Sequence, residues 1–201
     1  CSFCMNIQLR DCLDAKNLYS NYLYETPASI SLNNHYLNLI NFLKMNSYID
    51  KGTSTLEIGS NSGEFLKNIK NEVQSILGID PAENIAQKAN KKGIRTIIDF
   101  FGSESIKKIT DVQSSFDLIV GRHCLAHNCE VHPIFESIEK LLSSEGVLVI
   151  ENAYALNTIC NNEYDQIYHE HMFYYSLTSV EKILQQHGMH LINCMKSPIH
   201  G

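Results

Sequence analysis

The sequence has no run of 18 apolar residues, so nothing in it reads as a membrane-spanning helix. No signal peptide is visible in a chain that begins at Cys1, and there is no internal repeat or low-complexity tract. Positive charge is not in excess: 16 Lys and Arg against 22 Asp and Glu leave a formal charge of −6. That balance argues against broad contact with a nucleic-acid backbone. The basic pairs Lys91-Lys92 and Lys107-Lys108 are short and read as solvated helix faces. The seven cysteines are an odd number, and Cys124, Cys160 and Cys194 sit inside apolar segments. This usage fits reduced thiols in a cytoplasmic protein better than a disulfide framework. What is present, 201 residues of which 44% are hydrophobic, suffices for one main core.

From residue 53 onward, strand-like and helix-like segments alternate. Ser54–Gly59, Ser75–Asp80, Arg95–Phe100, Phe116–Val120 and Gly146–Glu151 read as strands, and His190–Met195 as a last one. Between them Phe65–Val73, Glu83–Lys92, Pro133–Leu142 and Ser179–His187 carry helical spacing, with Gly93 and Gly188 as stops. Strands this apolar are buried on both faces, as in a mostly parallel sheet covered by helices. The pattern predicts an α/β, doubly wound, Rossmann-like domain over residues 51–201.

At the end of the first of these strands stands Leu56-Glu57-Ile58-Gly59-Ser60-Asn61-Ser62-Gly63. Gly59 lets a ligand approach the backbone, and Gly63 opens the next helix. The spacing is G-x-x-x-G, not the G-x-G-x-x-G of a dinucleotide site, which disfavours an NAD oxidoreductase. Asp80 ends the second strand about 20 residues on, where a carboxylate can accept both hydroxyls of a ribose. This pairing resembles class I S-adenosylmethionine methyltransferases. Asp99-Phe100-Phe101 would then add a polar contact and an aromatic wall for adenine. The bland alternative is a turn glycine and a helix-capping aspartate.

The order of SNYLYETPAS (20–29), LEIGSNSGEFL (56–66), GIDPAEN (78–84), KGIRTIIDFF (92–101), LAH (125–127), GVLVIEN (146–152), YDQIYHEH (164–171) and SPIHG (197–201) resembles the sugar C-methyltransferase family. That family acts on nucleotide-linked keto-deoxysugars. The resemblance implies S-adenosylmethionine as cofactor, held by Glu57, Gly59, Asn61, Gly63, Asp80, Pro81, Asp99, Phe100 and His123. At His123 the family usually has asparagine, so either His123 takes over a polar contact or the substrate geometry differs. His171 falls at the family's proposed base, Glu170 at its carboxylate neighbour and His127 at an active-site histidine. Tyr24, given more weight than Tyr22, lies in the segment folded over the substrate, and Tyr168 belongs to the same catalytic stretch. His169 plays a supporting part, and Tyr174 and Tyr175 read as packing residues.

The resemblance further implies that residues 1–50 are the remnant of an N-terminal zinc module with a helical cover, and that a C-terminal domain is missing. Cys1 and Cys4 look like the second of two C-x-x-C pairs. Two cysteines cannot close a tetrahedron, so zinc is expected only in a full-length protein, with Cys12 a conceivable third ligand here. The expected partner is a nucleotide-linked keto-sugar, with no nucleic acid and no membrane, and the chain is expected as a monomer. Two other functions stay open: O- or N-methylation of a small molecule, and a truncated, non-catalytic relic that binds cofactor.

Overall fold

The computed structural model describes every residue except 12, 14, 20, 21, 28, 198, 200 and 201, together with the side chain of Lys16. Five strands form the central sheet: β2 (Ser54–Ile58), β3 (Ser75–Asp80), β4 (Thr96–Ile98), β5 (Phe116–Arg122) and β6 (Leu142–Glu151). Their order is β4-β3-β2-β5-β6, and every neighbouring pair is parallel. The chain runs outward from β2 to β4 and then returns to lay β5 on the other side of β2. The carboxyl ends of β2 and β5 therefore flank the switch point, where open α/β sheets bind ligands.

Register explains the two cores. Leu56 of β2 pairs with Ile119 of β5, and both face one layer with Phe135, Ile138 and Leu141 of α6 (Val131–Leu141) and Ile183 and Leu184 of α8 (Leu177–Gln186). Leu118 and Val120, one residue off, face the opposite layer. There they meet Phe65, Leu66 and Ile69 of α3 (Glu64–Ile69), Ala89 of α4 (Glu83–Lys91) and Tyr36, Ile40 and Leu43 of α2 (Ile30–Met45). Alternation along a strand thus feeds both layers.

Helix α2 completes the second layer. Ser29 caps it, its Oγ accepting from Leu32 N at 3.2 Å, which satisfies one of the end's orphan donors. Its buried residues Leu32, Tyr36, Ile40 and Leu43 recur at one-turn spacing. Three further helices are short: α1 (Ala15–Tyr19), α5 (Ile106–Thr110) and α7 (Ala155–Cys160).

A second, two-stranded sheet pairs β1 (Ile7–Gln8) with β7 (Phe173–Tyr174) antiparallel. Leu9 N extends it by donating to Met172 O at 2.9 Å. The N-terminal segment is thereby stitched to the chain just after His171.

One expectation is corrected. His190–Met195 is not a strand: these residues form no regular element, and Leu191, Ile192 and Met195 are exposed. Alternating hydrophobicity makes a strand only where a neighbour completes the ladder, and none of the described residues does so. Among the described residues, no helix is long and apolar enough to cross a membrane.

Candidate active site

A cavity of about 660 Å³ opens over the carboxyl edge of the sheet, within the roughly 300–1,000 Å³ typical of small-molecule sites. Its wall includes Gly59, Asn61, Asp80, Pro81 and Phe100 at one end and His123, His127, Tyr168, Glu170 and His171 at the other. At Gly59 φ is +65°, and a Cβ there would lie 2.7 Å from Cys124 Cβ. Only glycine fits both the turn and that contact.

Asp80 is buried, and its two oxygens accept from Asn61 N at 2.8 Å and Ala82 N at 2.9 Å. Burial pushes its carboxyl up, and the two backbone hydrogen bonds oppose that. Each carboxylate oxygen has two acceptor sites, so one on each oxygen is left unused by these two bonds. That arithmetic fits a ribose diol. Phe100, beside it in the wall, offers a ring face for a base.

The side chain of Asn61 is committed elsewhere. Its Oδ1 accepts from Thr26 N at 2.8 Å and Ser62 N at 2.9 Å, and its Nδ2 donates to Tyr24 O at 3.1 Å. Asn84 Nδ2 also donates to Tyr22 O at 3.0 Å, and Lys88 pairs with Glu25 at 2.5 Å. Residues 22–26 are thus a strap tied across the glycine loop and α4. Asn61→Gly keeps the left-handed backbone (φ +49°) while removing both strap bonds. Proteolytic cleavage within residues 22–26 is expected to speed up about tenfold, from roughly 1 kcal/mol or more of lost hydrogen bonding. An unchanged cleavage rate would show that the strap is held by other contacts.

At the other end, two loops distant in sequence are joined by Met172 N donating to Ala126 O at 2.8 Å. This brings the His127 and His171 rings to 5.3 Å between centroids. His171 Nδ1 lies 2.9 Å from Gln166 O, and a carbonyl can only accept, so Nδ1 carries the proton. In the neutral ring, Nε2 therefore presents its lone pair, and Tyr168 Oη donates to it at 2.8 Å. Glu170 Oε2 accepts from Tyr22 Oη at 3.1 Å. Tyr24 lines the same wall and is half exposed. The hydrogen bond to Glu170 belongs to Tyr22.

Burial lowers the basicity of His171, while the Gln166 carbonyl and the Glu170 charge act to restore it. His127 is pushed down to about 4 by burial, then by His171 and His123, and its Nδ1 meets Tyr19 Oη at 2.9 Å. His127 is therefore neutral at pH 7 and can donate through one ring nitrogen. Between pH 6.5 and 4 the unfolded chain binds a proton at this position that the folded chain does not. Its contribution to stability is thus complete above pH 6.5 and is lost as pH falls towards 4. An NMR titration is expected to place the His127 midpoint near 4, and a midpoint near 6.5 would contradict the burial argument.

Not every residue singled out from the sequence reaches the cavity. Glu57 lies beneath the floor, its Oε1 accepting from Arg122 Nη2 at 2.8 Å. Burial pushes its carboxyl up, and Arg122 opposes the shift. Gly63 caps α3 with φ +78° against Ile94. Asp99 accepts from Lys108 Nζ at 2.6 Å and from Phe100 N at 2.8 Å. Cys1 is exposed, and Cys4 is partly buried. Among the described residues no three His, Cys, Asp or Glu side chains could hold a metal ion, and Cys12 lies outside the described residues. His169 is exposed.

Sequence reasoning passed over Tyr19, His35, Arg122, Glu151 and Asn152, all in the cavity wall. An arginine closing the apolar run of β5 was the one available signal, since a buried cation needs a carboxylate such as Glu57. Its guanidinium also lies 4.3 Å from the Tyr36 ring centre and 4.9 Å from that of Phe65.

Residues 33–193 match the model of a family described as a methyltransferase domain. The C-methyltransferase NovU of Streptomyces niveus is 29% identical over 201 residues, covering 100% of this chain and 48% of NovU. The chain thus spans about half the length of that curated relative. Among solved structures, an S-adenosylmethionine-dependent methyltransferase of Thermotoga maritima superposes with a TM-score of 0.60 at 16% identity, covering 79% of this chain and 70% of that one. The plantazolicin methyltransferase BpumL, solved with S-adenosylhomocysteine, gives 0.57 at 19% identity, covering 78% and 64%. The likeness to solved structures concerns the fold, and the family model covers most of the sequence: the chain belongs to the methyltransferase domain family.

Proposed function

We propose that this chain carries the cofactor-binding and catalytic part of an S-adenosylmethionine-dependent C-methyltransferase. Its substrate would be a nucleotide-linked keto-deoxysugar, methylated on the carbon next to the ketone. The observation that carries the reading is a basic nitrogen, His171 Nε2, oriented by Gln166 and bridged to Tyr168 in the cavity that also holds Asp80. The resemblance in YDQIYHEH and the 29% identity to a C-methyltransferase support the substrate class.

Asp80 would hold the ribose of the cofactor, Gly59 would admit it to the backbone, and Phe100 would lie against adenine. When bound, the cofactor supplies an electrophilic methyl group. The chain's own residues do the rest. His171 Nε2 takes the proton from the carbon beside the ketone, and Gln166 O holds the resulting imidazolium through Nδ1–H. A ketone α-proton is far less acidic than imidazolium, and each pKa unit of mismatch costs about 1.4 kcal/mol. Donors must therefore hold the enolate oxygen, each worth a factor of about 100 to 1,000. Neutral His127 and the Tyr168 hydroxyl are the candidates nearest the base, with Tyr24 on the strap. Glu170 keeps the base electron-rich.

The test is the fate of a ¹³C-labelled methyl group from S-adenosylmethionine, followed by NMR with a nucleotide-linked keto-deoxysugar. The expected product shows that methyl bonded to ring carbon. A methyl on oxygen or nitrogen would assign His171 to deprotonating a hydroxyl or amine instead. Cofactor binding without any transfer would favour a non-catalytic domain.

A further inference from the structure

The cavity has a polar wall that the reaction above leaves unused. Glu151 and Asn152 are consecutive residues at the carboxyl end of β6, and both line the cavity. Asp80 ends β3, and β2 and β5 lie between. Three strand spacings put the two ends about 14 Å apart. Glu151 therefore stands beyond β5, on the side of His123 and away from the expected ribose contact.

Glu151 Oε2 and both amide atoms of Asn152 are shut off from solvent, with no hydrogen-bond partner among the described residues. Glu151 Oε1 lies 2.7 Å from His35 Nε2 and 3.7 Å from His123 Nε2. Burial alone would raise this carboxyl. The His123 hydrogen bond and charge, with His35 and Arg122, instead hold it at about 2, so it is ionised. Buried polar atoms left unpaired are costly and rare in native proteins. Three side by side in one cavity wall point to a ligand that completes them.

Their chemistry narrows that ligand. They comprise a carboxylate oxygen and an amide oxygen, which accept, and an amide NH₂, which donates. A ligand carboxylate would be repelled by Glu151, an ammonium would leave the amide NH₂ unmatched, and an apolar group would match none. Neighbouring hydroxyls, each able to donate and accept, match all three. We propose that Glu151 and Asn152, with His35 fixing the carboxylate, form a subsite for adjacent ring hydroxyls of the methyl acceptor. This rests on the reading that the His171 end of the cavity takes the acceptor.

The test uses the S-adenosylhomocysteine-saturated protein in calorimetric titrations with two probes. One is a thymidine-diphosphate-linked 4-keto-6-deoxyglucose, and the other is its counterpart lacking the hydroxyls on carbons 2 and 3. The wild type is expected to prefer the first by about tenfold or more, the range for hydrogen bonds to a charged group. Glu151→Gln and, independently, Asn152→Ala should each shrink that preference to below about threefold, with S-adenosylhomocysteine affinity unchanged. A preference that persists in both variants overturns the subsite. A parallel loss of S-adenosylhomocysteine affinity also overturns it and assigns the pair to the cofactor. Equal wild-type binding of the two probes overturns the subsite and leaves the acceptor class standing. Binding of neither probe, with S-adenosylhomocysteine bound, overturns both.

Discussion

Replacing His171 by alanine is expected to lower methyl transfer by about 100- to 10,000-fold, the usual contribution of a positioned general base. The substitution removes a ring nitrogen that is both unprotonated and oriented by a fixed neighbour, since Gln166 O holds Nδ1 and leaves Nε2 basic. Affinity for S-adenosylhomocysteine should stay within about twofold, because His171 stands at the opposite end of the cavity from Asp80. That split separates a lost base from a collapsed site. His171→Gln is the companion variant: it keeps a polar contact and still lacks a base. If turnover survives in both, the proton goes elsewhere, and His127 is the next group in the wall. Its pKa near 4 makes it a weaker base than His171 and a better neutral donor.

Asp80→Ala carries the second large effect. The two remaining acceptor sites on its carboxylate are those assigned to the ribose, and hydrogen bonds to a charged group are worth about 1.5–3 kcal/mol each. Losing both is expected to weaken S-adenosylhomocysteine at least about a hundredfold. The variant also strips the acceptors from Asn61 N and Ala82 N, which set the glycine loop and the start of α4. Asp80→Asn separates the two causes, since it keeps an acceptor for one of those donors and removes the charge. Calorimetric affinity equal to wild type in Asp80→Ala would mean that the cofactor does not use this carboxylate.

The parallel sheet was legible because runs such as Ser75–Asp80, Phe116–Val120 and Gly146–Glu151 are predominantly apolar, a pattern that helix-covered strands require. Helix α2 carried a clear one-turn period and a Ser cap, but the resemblance gave residues 1–50 only as a remnant module with a helical cover, and the period itself went unread. The β1–β7 pair was out of reach, since two-residue strands leave no period. Candidate site residues divided along a similar line. Gly59 and Asp80 sit at strand ends, whose position alone sends them to the cavity edge. Glu57 and Asp99 sit close by, yet their side chains go to Arg122 and Lys108, and no spacing rule reports which cation a carboxylate meets. His127 and His171 are joined by one long-range backbone hydrogen bond, so only the resemblance could pair them in advance. Glu151 was hidden differently: it closes a strand as a capping carboxylate would, and its role depends on His35 from a helix more than a hundred residues earlier.

The central claim is that His171 removes a proton from carbon before any methyl group moves. Deuterium exchange at the carbon next to the ketone tests it directly, measured in D₂O with S-adenosylhomocysteine in place of the methyl donor. The account predicts exchange catalysed by the wild type and reduced at least about a hundredfold in His171→Ala. Exchange at equal rates in the two proteins would contradict it.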